Sequence, residues 1–210
     1  MIEFFERHGS DLLTKMLEHF GISVTAIVIG VLIAVPLGII VSHNKRLSSM
    51  VIGISSILQT VPSLALLAMM VPIFGVGRKP AIIALVIYSL LPILRNTVLG
   101  MEGVDESVID AAKGMGMHRF QLLFRVQLPL ALPALISGIR LSSTYVLSWA
   151  TIASYIGAGG MGDFIFAGLN NYNIPSLIVG TLAITIMTLC VDAMFEVLEK
   201  RMVKREGVTS

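Results

Sequence analysis

Charge is scarce in this chain. Of its 210 residues only 13% are Asp, Glu, Lys or Arg, against about 25% in an ordinary soluble domain. A soluble fold of this length could not cover its surface with so few charges, so a soluble enzyme is excluded. The 55% apolar content likewise excludes a disordered tail. Cysteine is nearly absent: Cys190 alone cannot form an internal bridge, which rules out a disulfide scaffold. Its apolar neighbours include no His or Cys, so it reads as packing and no metal is expected. A net charge of +2, with no basic stripe interleaved with aromatics, gives no nucleic-acid surface. A signal peptide is missing too, because Glu3, Glu6, Arg7, Asp11, Lys15 and Glu18 crowd the first twenty residues. No Walker lysine motif occurs, so any ATP must be hydrolysed elsewhere.

What is present suits a bilayer. Mean hydropathy is +0.88, and the expected class is an all-α integral membrane protein. Residues 1–20 read as an amphipathic helix lying along the membrane surface, with Phe4, Phe5, Leu12, Leu13, Met16 and Leu17 at the wet–dry boundary. Residues 21–199 form the membrane domain, with a polar interspan loop at 100–127, and residues 200–210 form a basic tail. Five stretches are long enough to span: Ile22–Val41, Met50–Phe74, Pro80–Leu99, Leu128–Ala153 and Ile174–Leu198. The second and fourth contain prolines and invite a kink or split, which leaves six spans as the alternative. With five, one side carries Lys45, Arg46, Lys113, Arg119, Arg125, Lys200, Arg201, Lys204 and Arg205, whereas the other carries Arg7, Lys15, Arg78 and Lys79. The positive side is cytoplasmic. That places the 100–127 loop and the C-terminus inside, and the N-terminus and the 154–173 loop outside.

In the first span Ala26, Gly30, Ala34 and Gly38 recur every four residues, a face on which another helix can approach closely. Pro36 is tolerable where neighbouring groups take up the freed backbone. The interspan loop predicts a short helix capped by Asp105 or Ser107, presenting a smooth surface at Ala111 and Ala112 and ended by Gly114 and Gly116. A second amphipathic run, His118 to Gln127, offers Phe120, Leu123, Phe124 and Val126 to pack beneath the membrane domain.

The stretch Asp110-Ala111-Ala112, three residues, Gly116, nine residues, then Val126-Gln127-Leu128-Pro129 resembles the "EAA" signature of ATP-binding-cassette importer permeases. That pattern reads Glu-Ala-Ala, three residues, Gly, nine residues, Ile, one residue, Leu-Pro; here Asp110 replaces Glu and Val126 replaces Ile. The resemblance implies a methionine-uptake-like permease fold of about five transmembrane helices whose cytoplasmic coupling helix docks on an ATPase dimer. The docking residues would be Asp105, Asp110, Ala111, Ala112, Gly114, Gly116 and Met117. ATP and Mg would belong to that partner, with no cofactor on this chain and no catalysis by it. Two further stretches, Gln59-Thr60-Val61-Pro62-Ser63-Leu64-Ala65 and Ile156 to Asp163, look like the quaternary-amine branch, which imports glycine betaine, carnitine or choline. Methionine and phosphonate permeases share similar glycine-rich stretches, so a methionine or other amino-acid importer is the alternative. An ion-gradient-driven secondary transporter is the rival from another class. The resemblance further implies a bacterial inner membrane, a second permease copy or related chain, and an extracellular binding protein.

Gly157, Gly159 and Gly162 spell the dinucleotide fingerprint, but no strand precedes them and Leu182 stands where an acid is needed, so a flexible outer gate at Gly159 and Gly160 is the expectation. Arg95, Arg140 and Asp192 sit inside apolar stretches, where isolated charges are costly. At 1.5 Å per residue Arg140 and Asp192 reach similar depth and are a candidate pair, the other reading being that Arg95 and Arg140 snorkel to cytoplasmic water. Tyr145, Trp149, Tyr155, Phe164, Phe166 and Tyr172 gather toward the outer half; Tyr145 and Trp149, four apart, are the candidates to meet a trimethylammonium group. Gln59, Thr60, Pro62 and Ser63 are the other candidate path residues.

Overall fold

The computed structural model describes residues 2–205, with side chains from His8 to Met202. The expected boundary contacts of Phe4 and Phe5, and residues 206–210 of the tail, lie outside the described residues. Every regular element described is helical.

Helix α1 (Ile2–Ser42) runs through Pro36 without interruption. The surface helix expected over residues 1–20 is, from Ile2 on, continuous with the first span in one helix. Its buried face begins early, at His19, Ile22 and Ser23, and continues through Ala26, Ala34 and Val41. The four-residue spacing of small side chains brings α1 against α4 (Arg78–Glu102). A methyl group built on Gly30 would lie 2.0 Å from the Ser89 hydroxyl oxygen, and one on Gly38 would lie 2.7 Å from the Thr97 methyl carbon. Lipid offers no hydrophobic drive between helices, so this seam rests on close van der Waals contact between backbones. Helix α4 sits centrally. On its other side α7 (Leu128–Ala153) approaches as closely, a Cβ on Gly138 falling 2.6 Å from that of Asn96. Hydroxyls along the spans donate to carbonyls one turn back, as Ser23 does to His19 and Thr97 to Ile93, which satisfies them without water.

The second span is broken. Helices α2 (Lys45–Thr60) and α3 (Ser63–Phe74) meet at a bend of 91°. Pro62 disfavours helical angles at the residue before it, and Val61 is extended (φ −62°, ψ 127°). The pair still crosses the bundle once. At its start the Ser48 hydroxyl is 3.5 Å from Glu102 at the end of α4. Past its end, Arg78 pairs with Glu18 on α1 at 2.6 Å. Among the described residues the chain therefore traverses the bundle five times, counting the bent pair as one span: α1, α2–α3, α4, α7 and α9 (Ile174–Arg205).

The fourth span is not split. Helix α6 (Arg119–Leu122) passes through a π-helical turn at Leu123–Gln127 directly into α7, which absorbs Pro133. The short α5 (Glu106–Gly114) lies at the end of the bundle that the charge count assigns to the inside and α8 (Gly162–Asn170) at the opposite end, taken as outer; at nine residues each they are too short to span. Large apolar side chains such as Leu32, Ile57, Met69, Ile73 and Leu189 point outward around the bundle, as a lipid surround permits.

Candidate functional site

At the inner end α5 is a self-contained piece. Asp105 caps it by accepting from the Ser107 backbone N–H at 2.8 Å, and that bond holds its carboxyl below the usual carboxylate range. At the other end the Gly116 N–H donates to the Lys113 carbonyl and the Met117 N–H to that of Ala112, with Gly116 at φ +81°. Those two bonds form a Schellman closure, and the left-handed angle at its hinge is one glycine adopts readily. Gly114 is the last helical residue. Asp110 and Ala111 face outward and Asp110 pairs locally with Lys113, whereas Ala112 is buried. The smooth surface expected of both alanines thus belongs to Ala111 alone. Phe120 and Phe124 correct a second expectation: instead of packing under the membrane domain they stand 71% and 60% exposed, and Met115 is likewise outward-facing. Leu122 is buried, and Leu123 packs against the Met101, Ala131 and Leu135 cluster as expected. This end therefore exposes Met115, Phe120 and Phe124 together with the Asp110–Lys113 pair.

In the outer half of the bundle, the α2–α3 break and the aromatic residues of α7 converge. Gln59, Thr60, Pro62 and Ser63 flank the bend, where the Thr60 hydroxyl donates to the Ile57 carbonyl at 2.7 Å. Trp149 stacks on Tyr145, ring centroids 5.4 Å apart at 28°. Trp149 also meets Tyr88 of α4 at 4.5 Å and 55°, and the Tyr88 hydroxyl donates to the Val61 carbonyl at 2.5 Å. Sequence reasoning missed Tyr88. The available signal was a phenol inside an apolar span, which must find an acceptor; the structure supplies the carbonyl of Val61, the extended residue before Pro62. Of the other outer aromatics, Tyr155 meets Phe166 at 5.5 Å, and Tyr172 is fully exposed.

The outer loop is held from several directions. Gly159 and Gly160 both have positive φ, and the Gly160 N–H donates to Glu18 at 3.2 Å. Glu18 also binds Arg78 at 2.6 Å and Lys15 at 3.1 Å, and Lys15 reaches Asp163 at 2.6 Å. Beneath Gly160 the buried His19 donates from Nε2 to the Leu147 carbonyl at 2.9 Å. One carboxylate thus ties α1, the start of α4 and the glycine loop together. Neither Glu18 nor His19 was singled out by sequence, since each becomes meaningful only through a residue far along the chain.

The family described as "binding-protein-dependent transport system inner membrane component" matches residues 21–204. The chain belongs to that family. It is 48% identical over 202 residues to the carnitine transport permease protein OpuCB of Listeria monocytogenes, covering 96% of this chain and 93% of that one. It is 45% identical over 202 residues to the choline transport system permease protein OpuBB of Bacillus subtilis, with the same coverage. An inward-facing structure of the MetNI methionine ABC transporter superposes with a TM-score of 0.83, covering 91% of this chain and 95% of that one. At 20% identity that likeness concerns the fold. This chain is a multi-pass membrane permease and a transport subunit rather than an enzyme.

In this permease Arg140 and Asp192 lie together, Nε to Oδ1 at 2.6 Å and Nη2 to Oδ2 at 2.8 Å. The two-pronged contact uses the flat guanidinium fork in full. Two further acids of α9 close around it, Glu196 and Glu199, each at 3.3 Å, and the Ser137 hydroxyl donates to Glu199 at 2.5 Å. Arg140 is thereby held on α9 instead of snorkelling alone. Glu196 and Glu199 escaped notice in the sequence because they read as part of the polar tail. Arg95 is exposed on α4, two turns before its inner end.

Proposed function

We propose that this permease, with a second copy or a related permease chain, forms the path by which a quaternary-amine osmoprotectant (carnitine, choline or glycine betaine) crosses the membrane. The identity with the carnitine and choline permeases over almost the whole chain carries this reading. The aromatic pair Tyr145 and Trp149 supports it chemically. A trimethylammonium group has no proton to donate, and an aromatic face attracts it by about 0.5–2 kcal/mol, enough to guide cargo without trapping it. Gly159, Gly160 and the Gln59–Ser63 stretch would border the outer part of the path.

Work would come from a cytoplasmic ATPase dimer gripping α5, with ATP and Mg bound there. Helix α5 is suited to that grip because both its ends are closed by its own residues, so a push moves it as a unit. The unbroken run from Arg119 through α7 then leads from beneath α5 to Trp149. An extracellular binding protein would deliver cargo to the outer loop. The excess of Lys and Arg at the α5 end supports placing that end and the C-terminus in the cytoplasm and the N-terminus outside. Asp192, the acid an ion-coupled path would need, is occupied by Arg140, which weighs against a gradient-driven transporter.

Uptake of labelled carnitine, choline, glycine betaine and methionine, measured in cells whose own importers are deleted, tests the reading. Import of at least one quaternary amine, dependent on a co-expressed ATPase, is expected. Methionine import without any of the other three would overturn it.

A further inference from the structure

Tyr88 stands where two discontinuities of the bundle meet. Its side chain is 2% exposed and projects from α4, the helix packed against all the others of the path. Its hydroxyl donates to the carbonyl of Val61 at 2.5 Å. That carbonyl lies between α2 and α3, and the first backbone bond of α3 is already taken by Pro62, whose carbonyl accepts from Leu66. The phenol therefore caps a backbone group that the break leaves without a helical partner. The ring of the same residue lies 4.5 Å from Trp149, which stacks on Tyr145. Tyr145 is 38% exposed and offers the open end of this ladder.

We propose that Tyr88 is a positioning residue for the translocation path: it fixes the broken span and the Trp149 ring against each other, so that movement at the break is passed to the aromatic faces that meet cargo. The inference rests on the proposed path along the break and α7. Two physical points support it. With Tyr88 only 2% exposed, little water can reach its hydroxyl to replace the bond to Val61, so opening it leaves a donor and an acceptor bare together. The bond is accordingly either made or exchanged for another in a rearranged break, which gives a tie with discrete settings. Ring contact is also directional, since tilted and offset arrangements are preferred. A shift of Tyr88 with the break therefore requires Trp149 to follow.

The test uses the complete transporter in proteoliposomes, with Tyr88→Phe, which keeps the ring and removes the hydroxyl, and Tyr88→Leu, which removes both. Three quantities are read: labelled choline import per assembled transporter, ATP hydrolysed per choline imported, and the emission of Trp149. Trp149 is the single tryptophan of the chain, so its emission is measured on the purified permease in detergent. We expect Tyr88→Phe to lower import about tenfold, the scale of one hydrogen bond, to raise the ATP consumed per choline, and to leave Trp149 emission as in the wild type. Tyr88→Leu should add a shift of that emission to longer wavelength. Wild-type import by Tyr88→Phe, or a loss matched only by less assembled transporter, overturns the proposal. If the wild type carries no quaternary amine, the cargo reading fails by itself. The Tyr88 comparison is then made with methionine or whichever cargo is imported, and its result decides the positioning role.

Discussion

The two ends of the permease keep their shape by opposite means. At the inner end α5 is closed by its own residues, with Asp105 before it and the Lys113–Gly116 and Ala112–Met117 bonds after it. Its ion pair, Asp110 with Lys113, is internal as well. At the outer end the glycine loop has turn bonds of its own, Gly157 to Ser154 and Asp163 to Gly160, but its side-chain ties come from elsewhere, chiefly Glu18 and Lys15 of α1. A segment that satisfies itself can offer its faces to a partner and be moved without losing form. A segment satisfied by distant helices keeps its form only while those helices hold their relation. The first arrangement suits a handle, and the second suits a closure that registers how α1, α4 and the loop stand to one another.

The sharpest way to break this comparison is Gly160→Val. Gly160 has φ +92°, and a Cβ there would meet the His19 backbone and ring at 3.1–3.2 Å. Left-handed strain of about 1–2 kcal/mol and overpacking of a further 1–3 kcal/mol should add, since the neighbouring atoms are buried. The purified permease should unfold at a clearly lower temperature and uptake should fall with it. Ala111→Arg comes next and acts the other way. Ala111 is outward-facing, so the permease should unfold as the wild type does, while a central contact worth about 2 kcal/mol is lost to the ATPase. Co-purification of the ATPase should fall roughly thirtyfold, the factor that energy implies. Equal loss of stability in both variants would abolish the distinction between the two ends.

The sequence made one end far more legible than the other. The α5 boundary, its Asp105 cap and its Gly116 turn were readable because all of their partners lie within a few residues. The small-residue face of the first span was readable for the same reason, being a local period. The break at Val61–Pro62 was half legible: proline marked a possible kink in two spans, but only the second split, because α7 accommodates Pro133 while α2–α3 lets Tyr88 satisfy the exposed carbonyl. The continuity of α1 past residue 20 was hidden. Its acidic and basic residues looked like a surface helix, and their true partners, Arg78, Gly160 and Asp163, are sixty or more positions away. Arg140 and Asp192 could be matched by depth, yet Glu196 and Glu199 could not, since the tail's polarity masked a helical face. Phe120 and Phe124 misled because an amphipathic pattern does not say whether a partner or the same chain covers it.

Glu18→Gln sharpens the outer side of the comparison with a smaller change. The amide keeps an oxygen for the Gly160 N–H but removes the charge that Arg78 and Lys15 meet. After allowance for solvent screening, the loss is about 1–2 kcal/mol. Thermal unfolding should fall modestly, and protease cleavage within the 157–163 loop should rise, whereas ATPase co-purification should stay at the wild-type level. Cleavage confined to the inner loop would contradict the assignment of Glu18 as the outer tie.

The smallest effect is expected at Gly116→Ala, and it isolates backbone strain from packing. Gly116 has nearly the same backbone angle as Gly160, φ +81°, but nothing lies within 4 Å of where its Cβ would go. Only the left-handed penalty applies, about 1 kcal/mol once the exposed helix end relaxes. The cost should stay local: amide exchange at Gly116 and Met117 should quicken while global unfolding stays put, and ATPase co-purification should weaken only severalfold. Gly116→Asn should recover much of this loss, because asparagine tolerates the left-handed region better than alanine does. A Gly116→Ala variant as damaging to the whole permease as Gly160→Val would mean that α5 depends on the bundle for its shape, and the two ends would then no longer differ in kind.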